Sequence, residues 1–260
     1  VLNNRTMHID FLTKRFKQHL NADALIWKDQ QYSYEWLIKA LGHCETLIAS
    51  NNLKSGSVVA IQADFSPHAI ALILALTKAA CIIVPLHNKT PNKNELLEIA
   101  QVQFIFRINE RDEILSTSQS SKHELHLHYK HLRNIRHPGL VLFSSGTSGK
   151  TKAAVHDFTK LLDKFRVQRP PLKILNFLLF DHWGGLNTML HTLSNGGVVL
   201  TVDNRSPDSI CQFIEKHEIE ILPTSPTFLN LLLLSGAFKK YDLSSLKIIS
   251  YGTEPMPEST

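Results

Sequence analysis

Cysteine is scarce in this chain: Cys44, Cys81 and Cys211 are the three in 260 residues, and they lie far apart. That excludes a disulfide framework and predicts reduced, buried thiols in a cytosolic setting. Long apolar runs are also missing. The longest, residues 70–80, is broken by Thr77 and Lys78, short of the roughly 18 residues a membrane span needs. No secretory signal opens the chain, so a cytoplasmic protein with no membrane span is expected. Charge of one sign is absent as well. Lysine and arginine number 28 against 23 acids, a net +5, and the basic residues are scattered apart from Lys130, Arg133 and Arg136. No nucleic-acid partner is expected. Metal-ligand spacing is lacking: His126-x-His128 has only Glu124 beside it, and surface or edge-strand histidines are the better reading. The chain opens on Val1, and Glu258-Ser259-Thr260 reads as the start of another helix. Both ends are therefore expected to be cuts in a longer protein.

What is present is an ordinary globular composition, 43% hydrophobic and 20% charged, laid out as strands alternating with helices. Apolar runs at residues 58–63, 81–85, 103–108, 139–143, 173–180, 198–202, 220–222 and 247–250 predict buried strands. A short strand at Tyr32-Ser33-Tyr34 leads into a helix from about Ser33 to Ala49. Ser66-Pro67, Thr90-Pro91, Ser206-Pro207 and Ser225-Pro226 each offer a hydroxyl N-cap followed by proline at the first helical position. Residues 186–193 predict a further helix, and residues 116–122 an exposed polar loop. The alternation predicts an α/β fold of mostly parallel, helix-covered sheets.

Three stretches depart from this regularity. The first is Ser144 to Lys152, where Ser144, Ser145, Gly146, Thr147, Ser148 and Gly149 precede Lys150, Thr151 and Lys152. Glycines let backbone N–H groups turn inward around an anion, hydroxyls add donors, and lysine neutralises charge. A helical pattern at Phe158, Leu161, Leu162 and Phe165 is expected to follow, so the loop would join a strand to a helix. The second stretch is Asp181-His182-Trp183-Gly184-Gly185, read as the wall of an organic-substrate pocket or as a packed aromatic corner. The third, Tyr251-Gly252-Thr253-Glu254-Pro255, could present backbone groups to a flat ring or be a plain turn. Ligands bind beyond the carboxyl ends of parallel strands, so all three are expected to face one crevice. A rival reading takes residues 144–151 as a Walker phosphate loop and 176–181 as its Mg²⁺-assisting strand. Gly149-Lys150-Thr151 fits, but Ser144 stands where that motif needs glycine.

The first stretch resembles the signature [ST]-[SG]-G-T-[ST]-G-x-P-K-G of the adenylate-forming enzymes: acyl- and aryl-CoA synthetases, adenylation domains of nonribosomal peptide synthesis, and luciferase. Thr151 replaces its proline and Ala153 its last glycine. Residues 32–37, 53–60 and 75–86 are similar to further family motifs, with Ala80 where glycine is usual. Residues 242–257 resemble L-S-S-L-R-x-x-x-x-G-G-E-P-L, with Thr253 for the second glycine. The resemblance implies part of the large N-terminal domain, with a first subdomain at residues 1–138 and a second at 139–260. The small C-terminal domain and the Mg²⁺-binding glutamate would lie past Thr260, and the 260-residue piece alone is expected to be inactive. It implies ATP and Mg²⁺ as cofactors, the ATP bound through Ser144, Ser145, Gly146, Thr147, Ser148, Gly149, Lys152, Gly252, Thr253, Glu254 and Pro255. It implies a carboxylic acid, fatty or otherwise hydrophobic, bordered by His182, Trp183 and Gly184, with His182 also catalytic, and a thiol of CoA or a carrier protein as acceptor. A P-loop-like NTPase or kinase and a noncatalytic nucleotide- or acyl-binding module are the alternatives.

Overall fold

The computed structural model describes residues 8–118, 124–145, 151–252 and 254–256. The expectations placed on Gly146, Thr147, Ser148, Gly149, Lys150 and Thr253 fall outside the described residues. Two six-stranded sheets carry the fold. The first contains β1 (Asp23–Trp27), β2 (Gln30–Ser33), β9 (Lys173–Leu175), β10 (Val198–Leu200), β11 (Ile221–Thr224) and β12 (Ile248–Tyr251), ordered β12-β11-β9-β10-β1-β2. The second contains β3 (Val58–Ala63), β4 (Ile82–His87), β5 (Phe104–Ile108), β6 (Ile114–Ser118), β7 (Gly139–Ser145) and β8 (Thr151–Asp157), ordered β6-β5-β3-β4-β7-β8. Pairing is parallel except at β2, β6 and β8, which are antiparallel edges. A cut at 138/139 does not separate the sheets: β7 and β8 pair with β4, and β1 pairs with β10.

The helices α1 (Asp10–Gln18), α2 (Tyr34–Ser50), α3 (Pro67–Lys78), α6 (Phe158–Leu162) and α7 (Trp183–Ser194) share one core with the inner faces of both sheets. The helices α4 (Lys93–Ile99) and α5 (Leu127–Ile135) cover the other face of the second sheet, and α8 (Pro207–His217) and α9 (Pro226–Ser235) that of the first. Strand β3 shows why a continuous apolar run is required. Val59 and Ile61 enter the central core while Val58 and Ala60 enter the outer one, so both faces are buried as parallel sheets demand. Helix α3 is apolar nearly all round for the same reason. Ile70, Leu72, Leu74 and Leu76 are fully or almost fully buried, each stabilising by roughly 1.5–3 kcal/mol.

The Ser-Pro helix starts hold. Ser66, Ser206 and Ser225 accept the backbone N–H of Ala69, Ser209 and Phe228, and Ser33 caps α2 in the same way through Trp36. Thr90-Pro91 does not start a helix: α4 begins at Lys93, because the Thr90 hydroxyl donates to Asp181 instead. Residues 116–118 belong to the edge strand β6 rather than to a loop. The run at 173–180 forms a strand only over Lys173–Leu175, and α7 begins at Trp183, not near 186. Cys44, Cys81 and Cys211 are free and buried. Burial pushes the Cys44 and Cys81 thiols up to about 12 and Cys211 to about 11, which keeps them protonated and unreactive. Among the described residues no helix is long and apolar enough to cross a membrane.

Candidate active site

The carboxyl ends of β3, β4 and β5 in one sheet and of β1 and β10 in the other open on one cleft of about 660 Å³. Asp64, His87 and Arg205 form its charged floor. The backbone N–H of Lys89 donates to His87 Nδ1 at 3.0 Å, leaving the ring proton on Nε2, which faces Asp64 Oδ2 at 3.1 Å. Arg205 Nη2 lies 3.6 Å from the same oxygen. Burial pushes the Asp64 carboxyl up, but the His87 hydrogen bond, the Arg205 guanidinium and the Phe65 N–H outweigh it and hold the group below its usual range. Asp181 lines the cleft beside His87. Its Oδ2 accepts the His87 backbone N–H at 3.2 Å and the Thr90 hydroxyl at 2.6 Å. Its Oδ1 is buried without a hydrogen bond, 3.7 Å from His182 Nε2.

His182 lines this cleft as the residue before α7, its side chain 64% exposed. The first turn of α7 then separates the cleft from a second cavity of about 470 Å³, which Gly184 borders. The three residues expected to act together are therefore split. Trp183 lines neither cavity. It packs against the central core, with Lys164 Nζ 4.9 Å from its ring centre. Gly185 is required by close approach: a Cβ there would meet the carbonyl oxygen of Leu179 at 2.3 Å.

The second cavity does bring two of the three unusual stretches together, since Gly184, Tyr251 and Gly252 all border it. Ile174, Leu178 and Ile221 make its walls apolar. Glu254 and Pro255 are exposed. The Glu254 carboxylate is engaged structurally, accepting the Thr227 N–H at 3.2 Å and hydroxyl at 2.6 Å, so it ties the chain after β12 to the first turn of α9.

The described ends of the Ser144–Lys152 stretch lie on two paired antiparallel strands. Ser144 pairs with Lys152 and Ser145 with Thr151 across β7 and β8. Ser144 and Lys152 are exposed, and among the described residues no carboxylate pairs with Lys152, a donor set that suits an anion. The expected strand-to-helix connection is thereby corrected. Seven residues of β8 intervene before α6, so no helix N-terminus follows the loop and the Walker reading fails. His126 caps α5 through Nδ1, 3.3 Å from the His128 N–H.

Sequence reasoning passed over His87, Arg205, His191 and Thr224. His87 could have been found, since it closes a strand and parallel strands point their carboxyl ends at ligands. Arg205 and His191 carry no local motif.

A family model described as AMP-binding enzyme matches residues 12–260. The chain is 24% identical over 263 residues to bacitracin synthase 2 of Bacillus licheniformis, covering 90% of this chain and 10% of that protein. It is 29% identical over 137 residues to an acetyl-coenzyme A synthetase of Shewanella sp. (strain MR-4), covering 47% of this chain and 21% of that protein. The chain thus spans a minor part of these relatives. Among solved structures it is similar to the N-terminal domain of FACL13 from Mycobacterium tuberculosis, with a TM-score of 0.78, 14% identity and coverage of 97% and 71%. It is also similar to the Klebsiella oxytoca NpsA N-terminal subdomain in complex with 3-hydroxyanthranilyl-AMSN, with a TM-score of 0.76, 16% identity and coverage of 96% and 67%. With the family model matched along almost the whole chain and the same fold in these neighbours, the protein belongs to the AMP-binding enzyme family.

Proposed function

We propose that the protein activates a hydrophobic carboxylic acid with ATP and passes the acyl group to a thiol of CoA or a carrier protein. The observation that carries this reading is that residues two apart in the chain border two different cavities, His182 the charged cleft and Gly184 the more apolar second cavity. Such an arrangement lets a carboxylate held in one cavity approach the α-phosphorus of ATP held in the other. In the first step a carboxylate oxygen attacks the α-phosphorus of ATP. The bond to the β-phosphate breaks, pyrophosphate leaves and an acyl-adenylate remains. In the second step the thiol sulfur attacks the acyl carbon and AMP leaves.

The Ser144–Lys152 stretch supplies charge to the leaving group. The Lys152 ammonium and the Ser144 hydroxyl, exposed on the same side of β7 and β8, would hold pyrophosphate oxygens, which is stabilisation aimed at charge that develops in the transition state. Backbone groups at Gly252 and Pro255 would border the adenine. His182, exposed at the cleft edge, would orient the carboxylate. Mg²⁺ would neutralise phosphate charge when bound; among the described residues no group of three acidic, His or Cys side chains could hold it.

The test is acid-dependent exchange of labelled pyrophosphate into ATP by the full-length protein. The proposal expects exchange with hydrophobic acids, lowered by about tenfold or more in Lys152→Ala. Nucleotide binding without exchange, for any acid, would leave a noncatalytic binding module.

A further inference from the structure

The second cavity has two chemically different ends. Gly184, Asn187, Thr188 and His191 all border it, and their spacing of three, four and seven residues puts them along one face of α7. The cavity therefore runs lengthwise down the helix. Its near end lies at the carboxyl ends of β11 and β12, where Thr224 and Gly252 join Gly184. Thr224 is 2% exposed and its hydroxyl is buried without a hydrogen-bond partner, so a polar group is wanted there. Between the ends the walls are Ile174, Leu178 and Ile221.

The far end is basic. Arg169 precedes β9, and its backbone N–H donates at 2.7 Å to Asn195, the residue closing α7, which holds it beside His191. Among the described residues Arg169 pairs with no carboxylate, and no acidic side chain lines the cavity. Lys164, which does not line the cavity, donates to Asn187 on α7. The 660 Å³ cleft is different, since Asp64, Glu110, Asp181 and Asp203 line it beside its cations. From Gly184 to His191 the helix rises about 10 Å.

We propose that the acid activated by this protein carries a second anionic group at the other end of an apolar body, about 10 Å from the reacting carboxylate, and that Arg169 and His191 receive it. The inference rests on the acid-activating reading and adds the substrate class. A guanidinium recognises a carboxylate or a similar planar anion through paired N–H donors. The apolar walls exclude water from the middle of the substrate, and the Thr224 hydroxyl serves the reacting end.

The test uses the full-length protein and pyrophosphate exchange. Straight-chain dicarboxylic acids spanning the cavity are each compared with the monocarboxylic acid of equal carbon count. The inference expects one dicarboxylic acid to exceed its partner by about tenfold or more in kcat/KM. It expects Arg169→Leu to abolish that preference by lowering kcat/KM for the dicarboxylic acid, and Arg169→Lys to restore part of it. Preference for the monocarboxylic acids, with Arg169→Leu without effect on either series, overturns the inference and leaves acid activation standing. Exchange with no acid of any kind overturns both.

Discussion

The hydroxyl of Thr90 donates to Asp181 Oδ2 at 2.6 Å, joining the loop after β4 in one sheet to the connection between β9 and α7 in the other. The same oxygen takes the His87 backbone N–H. One carboxylate thus links the segment after β4 to the segment before α7. Thr90→Val should lower the free energy of unfolding by about 1–2 kcal/mol, read from urea denaturation. An unchanged midpoint would show that the link carries no load.

Ala80 holds a positive φ of 55°. An L side chain in that left-handed region is strained. Its carbonyl accepts the Gly56 N–H at 2.8 Å, so the conformation is held by the turn before β3. Ala80→Gly should raise stability by roughly 0.5–1 kcal/mol, visible as a higher thermal midpoint. A lower midpoint would mean that the lost methyl packing outweighs the relieved strain.

His68 and Asp112 form a pH-dependent pair. His68 Nδ1 lies 2.7 Å from Asp112 Oδ2, and its backbone N–H donates to both carboxylate oxygens at 3.1 Å. The Asp112 hydrogen bond raises the His68 pKa above its usual value against the opposing pull of burial. A raised folded-state value stabilises fully below the unfolded pKa, and that contribution is lost as pH rises through the folded value. The unfolding midpoint should therefore fall as pH rises above about 6.5, the ordinary histidine value, and His68→Gln should flatten that slope. A slope unchanged by the substitution would assign it to other groups.

Gly185 admits no side chain because the Leu179 carbonyl oxygen would sit 2.3 Å from a Cβ. Gly185→Ala should destabilise by about 2 kcal/mol or more, measured by denaturant unfolding. Gly184→Ala meets only the flexible end of Leu178, and it should act on acid binding more than on stability. Equal losses of stability in the two variants would contradict this division.

The parallel strands and the Ser-Pro helix starts are legible because each rests on local chemistry: a run buried on both faces, and a hydroxyl cap with fixed φ. Strand β8 is not legible by those signals. Its half-buried face is Thr151, Ala153 and Val155 against the exposed Lys152 and Ala154, an alternation too weak in apolar contrast to outweigh the helical spacing that begins at Phe158. Thr90 fails as a cap because its partner, Asp181, lies 91 residues away. The site divides in the same way. The Ser144–Lys152 stretch and the loop after β12 announce themselves by composition. The end of the second cavity bordered by Arg169 and His191 comes from residues far apart in sequence that the fold brings together.

The central claim is that ATP is cleaved between its α- and β-phosphates by an incoming carboxylate. Product analysis by mass spectrometry of the full-length protein with ATP, Mg²⁺ and a cavity-matched acid tests this directly. The account expects an acyl-adenylate and pyrophosphate, with AMP appearing once a thiol acceptor is added. ADP or inorganic phosphate as the primary product, or nucleotide turnover indifferent to the acid, would contradict it.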